Sequence, residues 1–140
     1  MLLIAVFSIP YQSFAQPYIT TQLTNNSYDD GSPQINANGY VVWNGWDGTD
    51  YEIFIHDGTT ITQLTNNSSD EWSPQINANG YVVWSEWYDT DWEIFLYNGV
   101  TKTNISNNSY HDVSPQINAN GYVVWSGNSE IFLYNGITTT

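Results

Sequence analysis

The chain has no cysteine, and among its 140 residues it holds a single cation, Lys102, and no arginine. Without cysteine there is neither a disulfide nor a thiol nucleophile, so packing alone must hold the fold. One cation against fourteen carboxylates leaves a formal charge of -13. Phosphate recognition needs cations to replace condensed counterions, so this balance excludes nucleic acid as a partner. The same repulsion argues against anionic membrane surfaces, while the acid favours solubility and draws cations. Histidine is scarce too: His56 falls where the other repeats place Tyr97 and Tyr134, and His111 falls where they place Asp29 and Asp70. No Gly-x-Ser-x-Gly nucleophile motif accompanies either of them. A non-enzymatic chain is the expectation. Paired carboxylates of the glycosidase kind stay open on a chain this acidic, but nothing singles out a pair.

Long apolar runs are also missing. The run at residues 2–7 is far shorter than the roughly 20 residues a membrane span needs, so no membrane insertion is expected. Followed by Ser13-Phe14-Ala15, it resembles a secretory signal cleaved after Ala15, with a bare n-region such as a truncated start would leave. Residues 1–15 are therefore predicted as a signal peptide and the mature chain as secreted, periplasmic or cell-surface. Helical periodicity is absent throughout. Disorder is excluded by what is present, seven Trp and eleven Tyr, since disordered acidic chains are poor in aromatics.

What dominates is a repeat. Ser-Pro-Gln-Ile-Asn-Ala-Asn-Gly-Tyr-Val-Val-Trp occurs at residues 32–43, 73–84 and 114–125, with a period of 41. Such a period marks units that bury their apolar faces against one another. Each unit reads as four short strands. Strand a opens at Pro33, Pro74 or Pro115. A tight Asn-Gly turn, expected to be type I′, leads to strand b at Tyr40, Tyr81 or Tyr122. Strand c begins at Glu52, Glu93 or Glu130, and strand d at Ile61 or Thr101. Strand b is β-branched and aromatic on both faces, as a doubly buried strand should be. Radial repetition of four-stranded antiparallel sheets is a β-propeller. The predicted fold is all-β: propeller blades over residues 16–140, at about 20–65, 66–106 and 107–140. A β-solenoid is the second choice, since its coils are shorter and lack three hairpins per repeat. Residues 19–24 read as a spare d strand ahead of the first blade. Three blades do not close, because propellers use roughly four to eight. Two readings follow: a fragment of a longer chain, or a homodimer closing a six-bladed ring by exchange of residues 19–24.

These motifs resemble the WD40-like repeats of TolB-type propellers. The likeness rests on Ser-Pro-x-x-Asn-x-Asn-Gly-x-x-Val-x-Trp, then Glu-Ile-Phe-Leu-Tyr-Asn-Gly, then Thr-x-Leu-Thr-Asn-Asn, and covers residues 20–140. The chain departs from that pattern at Asn36-Ala37-Asn38 and in its lack of basic residues. The resemblance implies six blades. It implies no one function, since such repeats serve periplasmic partners, surface proteins and peptidase propellers alike.

Strand order sorts the connections onto two faces. The a–b and c–d turns share one, which reads as structural. The d–a and b–c loops share the other and carry nearly all the acid. Its candidate ligand-binding residues are Asp30, Trp46, Asp47, Asp50, Glu71, Trp72, Trp87, Tyr88, Asp91 and Asp112. Loop aromatics beside carboxylates suit a glycan, with ring faces stacking on the sugar and carboxylates taking hydroxyls; they also suit a protein partner. Asp30, Glu71 and Asp112 share one repeat position and are expected to ring the channel mouth. Two readings of them stand, turn caps or oxygen ligands for Ca²⁺ or Mg²⁺, the one cofactor the acid suggests. The predicted function is a non-enzymatic binding module. The alternatives are the propeller of a larger hydrolase, either a serine peptidase or a glycan-active enzyme, and a self-assembling structural repeat.

Overall fold

The structure, a computed structural model, describes residues 18–136. The predicted signal segment and the end of the third blade, residues 137–140, lie outside these. The described residues form eleven strands: β1 (Asp30–Ile35), β2 (Val41–Trp46), β3 (Tyr51–His56), β4 (Ile61–Gln63), β5 (Glu71–Ile76), β6 (Val82–Tyr88), β7 (Asp91–Tyr97), β8 (Lys102–Asn104), β9 (Asp112–Ile117), β10 (Val123–Gly127) and β11 (Glu130–Tyr134). They pair antiparallel in three sheets, β1-β2-β3-β4, β5-β6-β7-β8 and β9-β10-β11, one for each repeat. No helix among the described residues is long and apolar enough to cross a membrane.

The shared sequence explains the shared geometry. Ser32, Ser73 and Ser114 adopt φ of 49°, 55° and 58°. Each sits where the pairing of strand a with strand b slips out of register, a β-bulge that bends the innermost strand. Strand b is buried on both sides in the first two blades, as expected, whereas in the third Val124 is 38% exposed. Val42 and Val83 point to the following blade, and Trp84 and Trp125 to the preceding one. Two cores result, each lying between blades. The first packs Val42, Ile53, Ile55 and Leu64 of blade one on Ile76, Val82, Trp84, Phe95 and Tyr97 of blade two. The second packs Val83, Ile94, Leu96 and Ile105 on Ile117, Val123, Trp125, Phe132 and Tyr134. Full burial of one such aliphatic or aromatic side chain is worth about 1.5–3 kcal/mol, so the seams hold the molecule together.

Two expectations are corrected. The Asn-Gly turns are not type I′. Gly39 N–H donates to Asn36 C=O at 3.1 Å, and Asn36 N–H to Tyr40 C=O at 3.0 Å. Gly39 has φ of 83°, while Asn38 is not left-handed. This is a type I turn followed by a left-handed glycine, the three-residue hairpin. Asn36 selects it, because its Oδ1 accepts from both the Asn38 and the Tyr40 amides. The second correction concerns residues 19–24, which form no strand; Ile19 is 84% exposed. A d strand pairs with the c strand before it, and among the described residues no c strand precedes this segment.

The turn face also does more than reverse the chain. Asn36 Nδ2 donates to Asn77 C=O at 2.9 Å, and Asn38 Nδ2 to Ala78 C=O at 2.8 Å. One blade on, Asn77 Nδ2 reaches Asn118 C=O and Asn79 Nδ2 reaches Ala119 C=O, each at 3.1 Å. An asparagine ladder therefore ties each blade to the next.

Candidate functional site

At the opposite end the loops of blades one and two enclose an open groove of about 550 Å³. Trp46, Thr49 and Asp50 line it from the β2–β3 connection, Ser68, Ser69 and Asp70 from the β4–β5 loop, and Trp87 and Trp92 from the β6–β7 hairpin. Asp70 positions both walls. Its Oδ1 accepts from the Tyr51 amide at 3.1 Å, and its carbonyl accepts from the Trp87 amide at 3.1 Å. One residue thus binds strand c of the first blade and strand b of the second. In the next repeat His111 Nδ1 takes the first of these roles, accepting from the Trp92 amide at 3.2 Å.

The aromatic walls are braced by neighbours. Trp46 meets Tyr51 edge-on at 5.3 Å, and Tyr51 lies 4.4 Å from Trp72. Trp87 meets Trp92 edge-on at 5.6 Å and His111 at 5.9 Å. Trp92 and Trp72 also line a second, smaller cavity of about 160 Å³ with Ser85 and Val113, and the Ser85 hydroxyl is buried there without a partner.

Asp50 supplies the groove's open valence. It is only 7% exposed, and its Oδ1 has no hydrogen-bond partner. Burial and the Glu52, Asp47 and Asp70 carboxylates push its carboxyl above the usual range. Behind it lies Glu52, wholly buried, with Oε1 accepting the Asn67 amide at 2.7 Å and Oε2 unpaired. Oxygens of Asp47, Asp50 and Glu52 lie within 4.8 Å of one another. Oxygen ligands alone, with no cation beside them, are the donor set a hard cation such as Ca²⁺ takes.

Of the ten residues read from the sequence, Trp46, Asp50 and Trp87 line this groove. Asp47 caps the loop, accepting the Thr49 amide at 2.8 Å. Trp72 lies on the smaller cavity. Tyr88 is half-exposed and packs edge-on against Phe95 at 5.7 Å. Asp91 is buried at the start of β7, opposite Tyr88.

Asp30, Glu71 and Asp112 are not gathered round one ion; each belongs to its own blade. Glu71 accepts from the Thr65 hydroxyl at 2.8 Å and from Asn67 Nδ2 at 2.7 Å. Asp112 accepts from Asn108 Nδ2 at 2.6 Å, and Asp30 from the Trp43 indole at 2.9 Å. In the first and third blades a glycine makes room for the acid: a Cβ on Gly45 would fall 2.6 Å from Asp30 Oδ1. Blade two has Glu86 at that position, and Glu86 itself accepts the Trp84 indole at 3.0 Å and pairs with Lys102. The one cation is thereby committed. Burial and a hydrogen bond with Glu52 push the Glu71 carboxyl up to about 9.

Trp92 and Ser68–Ser69 escaped the sequence reading. Trp92, one residue ahead of the expected start of strand c, pairs with Trp87 across the β6–β7 hairpin and so lines the groove.

No family model and no curated protein matches this sequence. Among solved structures, the β-propeller domain of the trilobed protease from Pyrococcus furiosus, described as having an open velcro topology, superposes with a TM-score of 0.62 at 10% identity. The match covers 76% of this chain and 37% of that one. At that identity it shows the fold: this chain forms part of a β-propeller.

Proposed function

We propose that the chain is an exported, non-enzymatic binding module, with TolB-type repeats, whose groove takes a neutral or amino-sugar glycan. The observation that carries this reading is the groove's composition: Trp46, Trp87 and Trp92 beside Asp50, Asp70, Ser68 and Ser69, with one buried Asp50 oxygen unpaired. Indole faces match the C–H face of a pyranose, and the carboxylates and hydroxyls take its hydroxyl groups. Leaving Asp50 Oδ1 unpaired costs about 1–3 kcal/mol, which a ligand hydroxyl or ammonium would recover. The net charge of -13 rejects sulfated and uronic sugars. Titration with neutral and amino oligosaccharides, followed by tryptophan fluorescence, tests this. Trp92→Ala should lose about tenfold or more in affinity. Equal affinity of Trp92→Ala and the native chain would overturn the reading. The likeness to a protease propeller supports a second reading, a propeller portion of a larger hydrolase; peptides rather than sugars would then change the fluorescence.

A further inference from the structure

The wall that blade one gives to the groove holds three acids in a short span. The chain enters it through Asp47-Gly48-Thr49-Asp50, and Glu52 follows two residues on, the spacing that puts two extended residues on one face. Among the described residues, oxygens of Asp47, Asp50 and Glu52 converge to within 4.8 Å of one another. Two oxygens on opposite sides of one Ca²⁺ stand about 5 Å apart, twice a bond of roughly 2.3–2.6 Å, so a single ion fits among all three. Asp47 is set in place by two donors, the Thr49 amide at 2.8 Å and Gln63 Nε2 at 3.4 Å.

Acids alone do not make a site; the unpaired oxygens and the next repeat do. Asp50 Oδ1 and Glu52 Oε2 are buried with no donor, on side chains 7% and 0% exposed. Burying a carboxylate oxygen is costly until something positive meets it. The chain's one cation is elsewhere, since Lys102 Nζ lies 2.6 Å from Glu86 Oε2. The Thr65 hydroxyl, which could have served Glu52, donates to Glu71 instead. One period on, Asp91 and Glu93 repeat Asp50 and Glu52, but both Glu93 oxygens are taken, Oε2 by the Ser106 hydroxyl and Oε1 by the Asn108 amide. There the third acid is missing too: Asp47 is replaced by Tyr88, whose ring packs against Phe95. The third acid and the unpaired glutamate oxygen occur together in the first repeat, and the second has neither.

We propose that Asp47, Asp50 and Glu52 bind one Ca²⁺ in the first-blade wall of the groove. Asp50 Oδ1 and Glu52 Oε2 are the oxygens free to bond it, Asp47 adds a third, and water completes the shell, as is usual for this ion. Glu52 Oε1 meanwhile keeps the Asn67 amide of the β4–β5 loop, so the ion braces the point where the loops of blades one and two meet. The inference does not rest on the glycan reading: the ion satisfies Asp50 whether or not a sugar enters the groove, and its test contains no sugar.

Calorimetric titration of the full chain with CaCl₂ at constant ionic strength is expected to show one ion per chain, with a Kd of about 0.1 mM or tighter. Tb³⁺ taken up at the same place should luminesce on tryptophan excitation, because Trp46 adjoins Asp47, and Ca²⁺ should displace it. Glu52→Gln and Asp47→Asn should each weaken binding by about tenfold or more, since affinity follows the charge of the ligands. Asp47 is half-buried and on a loop, so its variant keeps a native far-UV spectrum even if Glu52→Gln does not. Asp89→Asn removes the same charge from an exposed turn of blade two and should bind as the native chain does. Absence of Ca²⁺ binding, equal binding of Mg²⁺, native affinity in a folded Asp47→Asn, or an equal loss in Asp89→Asn would each overturn the proposal.

Discussion

The turn face and the loop face are built from the same three repeats and have opposite characters. On the turn face every repeat keeps Ile-Asn-Ala-Asn-Gly-Tyr, and each copy makes the same bonds to its neighbour, as in Asn36 to Asn77 and Asn77 to Asn118. On the loop face the repeats diverge: the first two share a Trp (Trp46, Trp87) and an Asp (Asp50, Asp91) one period apart but differ at Asp47/Tyr88, Gly48/Asp89 and Tyr51/Trp92, and the third has a shortened Gly127-Asn128-Ser129. Where a residue must meet a copy of itself one blade away, it is held constant. Where it faces solvent between two blades, it is free to vary around the Trp and Asp that the first two repeats share, and the groove forms there. The comparison separates what holds the blades from what meets a ligand.

The strongest break would come between the two faces, at the seam both depend on. Trp84 is 1% exposed within the first core, so Trp84→Ala should cost about 3–5 kcal/mol in chemical denaturation. Changing pH between 5 and 8 should act through Glu71 at the loop end. The Glu71 carboxyl is ordinarily near 4.5 and is raised to about 9 when folded. Between those values the folded chain keeps a proton that the unfolded chain releases, so this contribution is complete below the lower value and fades as pH climbs toward the upper one. The melting midpoint should therefore be several degrees lower at pH 8 than at pH 5, and Glu71→Gln should flatten that difference. A matched pair of substitutions sharpens the contrast. Asn77→Ala removes a buried ladder residue and two turn bonds and should cost about 2 kcal/mol. Trp87→Ala, at an exposed site, should cost under about 1 kcal/mol in the same melts. Between these two, Gly80→Val forces a β-branched residue to φ of 82°, for about 1–2 kcal/mol, with no contact to lose, since nothing lies within 4 Å of its would-be Cβ.

Much of this architecture is legible in the residues. The period, the doubly buried Val-Val-Trp strand and the two-face division follow from spacing and alternation, which are local. What escapes is what depends on a partner. Asn36 and Asn38 advertise a turn, but their bonds to blade two come from the stacking of repeats, so the turn face reads as passive. The turn type escapes because Asn-Gly also suits type I′, and only the Asn36 side chain chooses between them. Glu71 and Asp112 read either as turn caps or as oxygen ligands at the channel mouth. What the sequence leaves out is that the Asn67 and Asn108 side chains, four residues ahead in the same loops, bond to them. Residues 19–24 carry strand propensity without an edge to join.

The most direct test of the division between the faces is glycan-array binding by the native chain, Trp87→Ala and Asn79→Ala, each checked for native far-UV spectra. Asn79 lends one ladder bond, to Ala119, and stands far from the groove residues in its repeat. Native protein and Asn79→Ala should bind the same neutral or amino-sugar set, and Trp87→Ala should bind none of it. Retention of binding by Trp87→Ala, or its loss in a folded Asn79→Ala, would contradict the account.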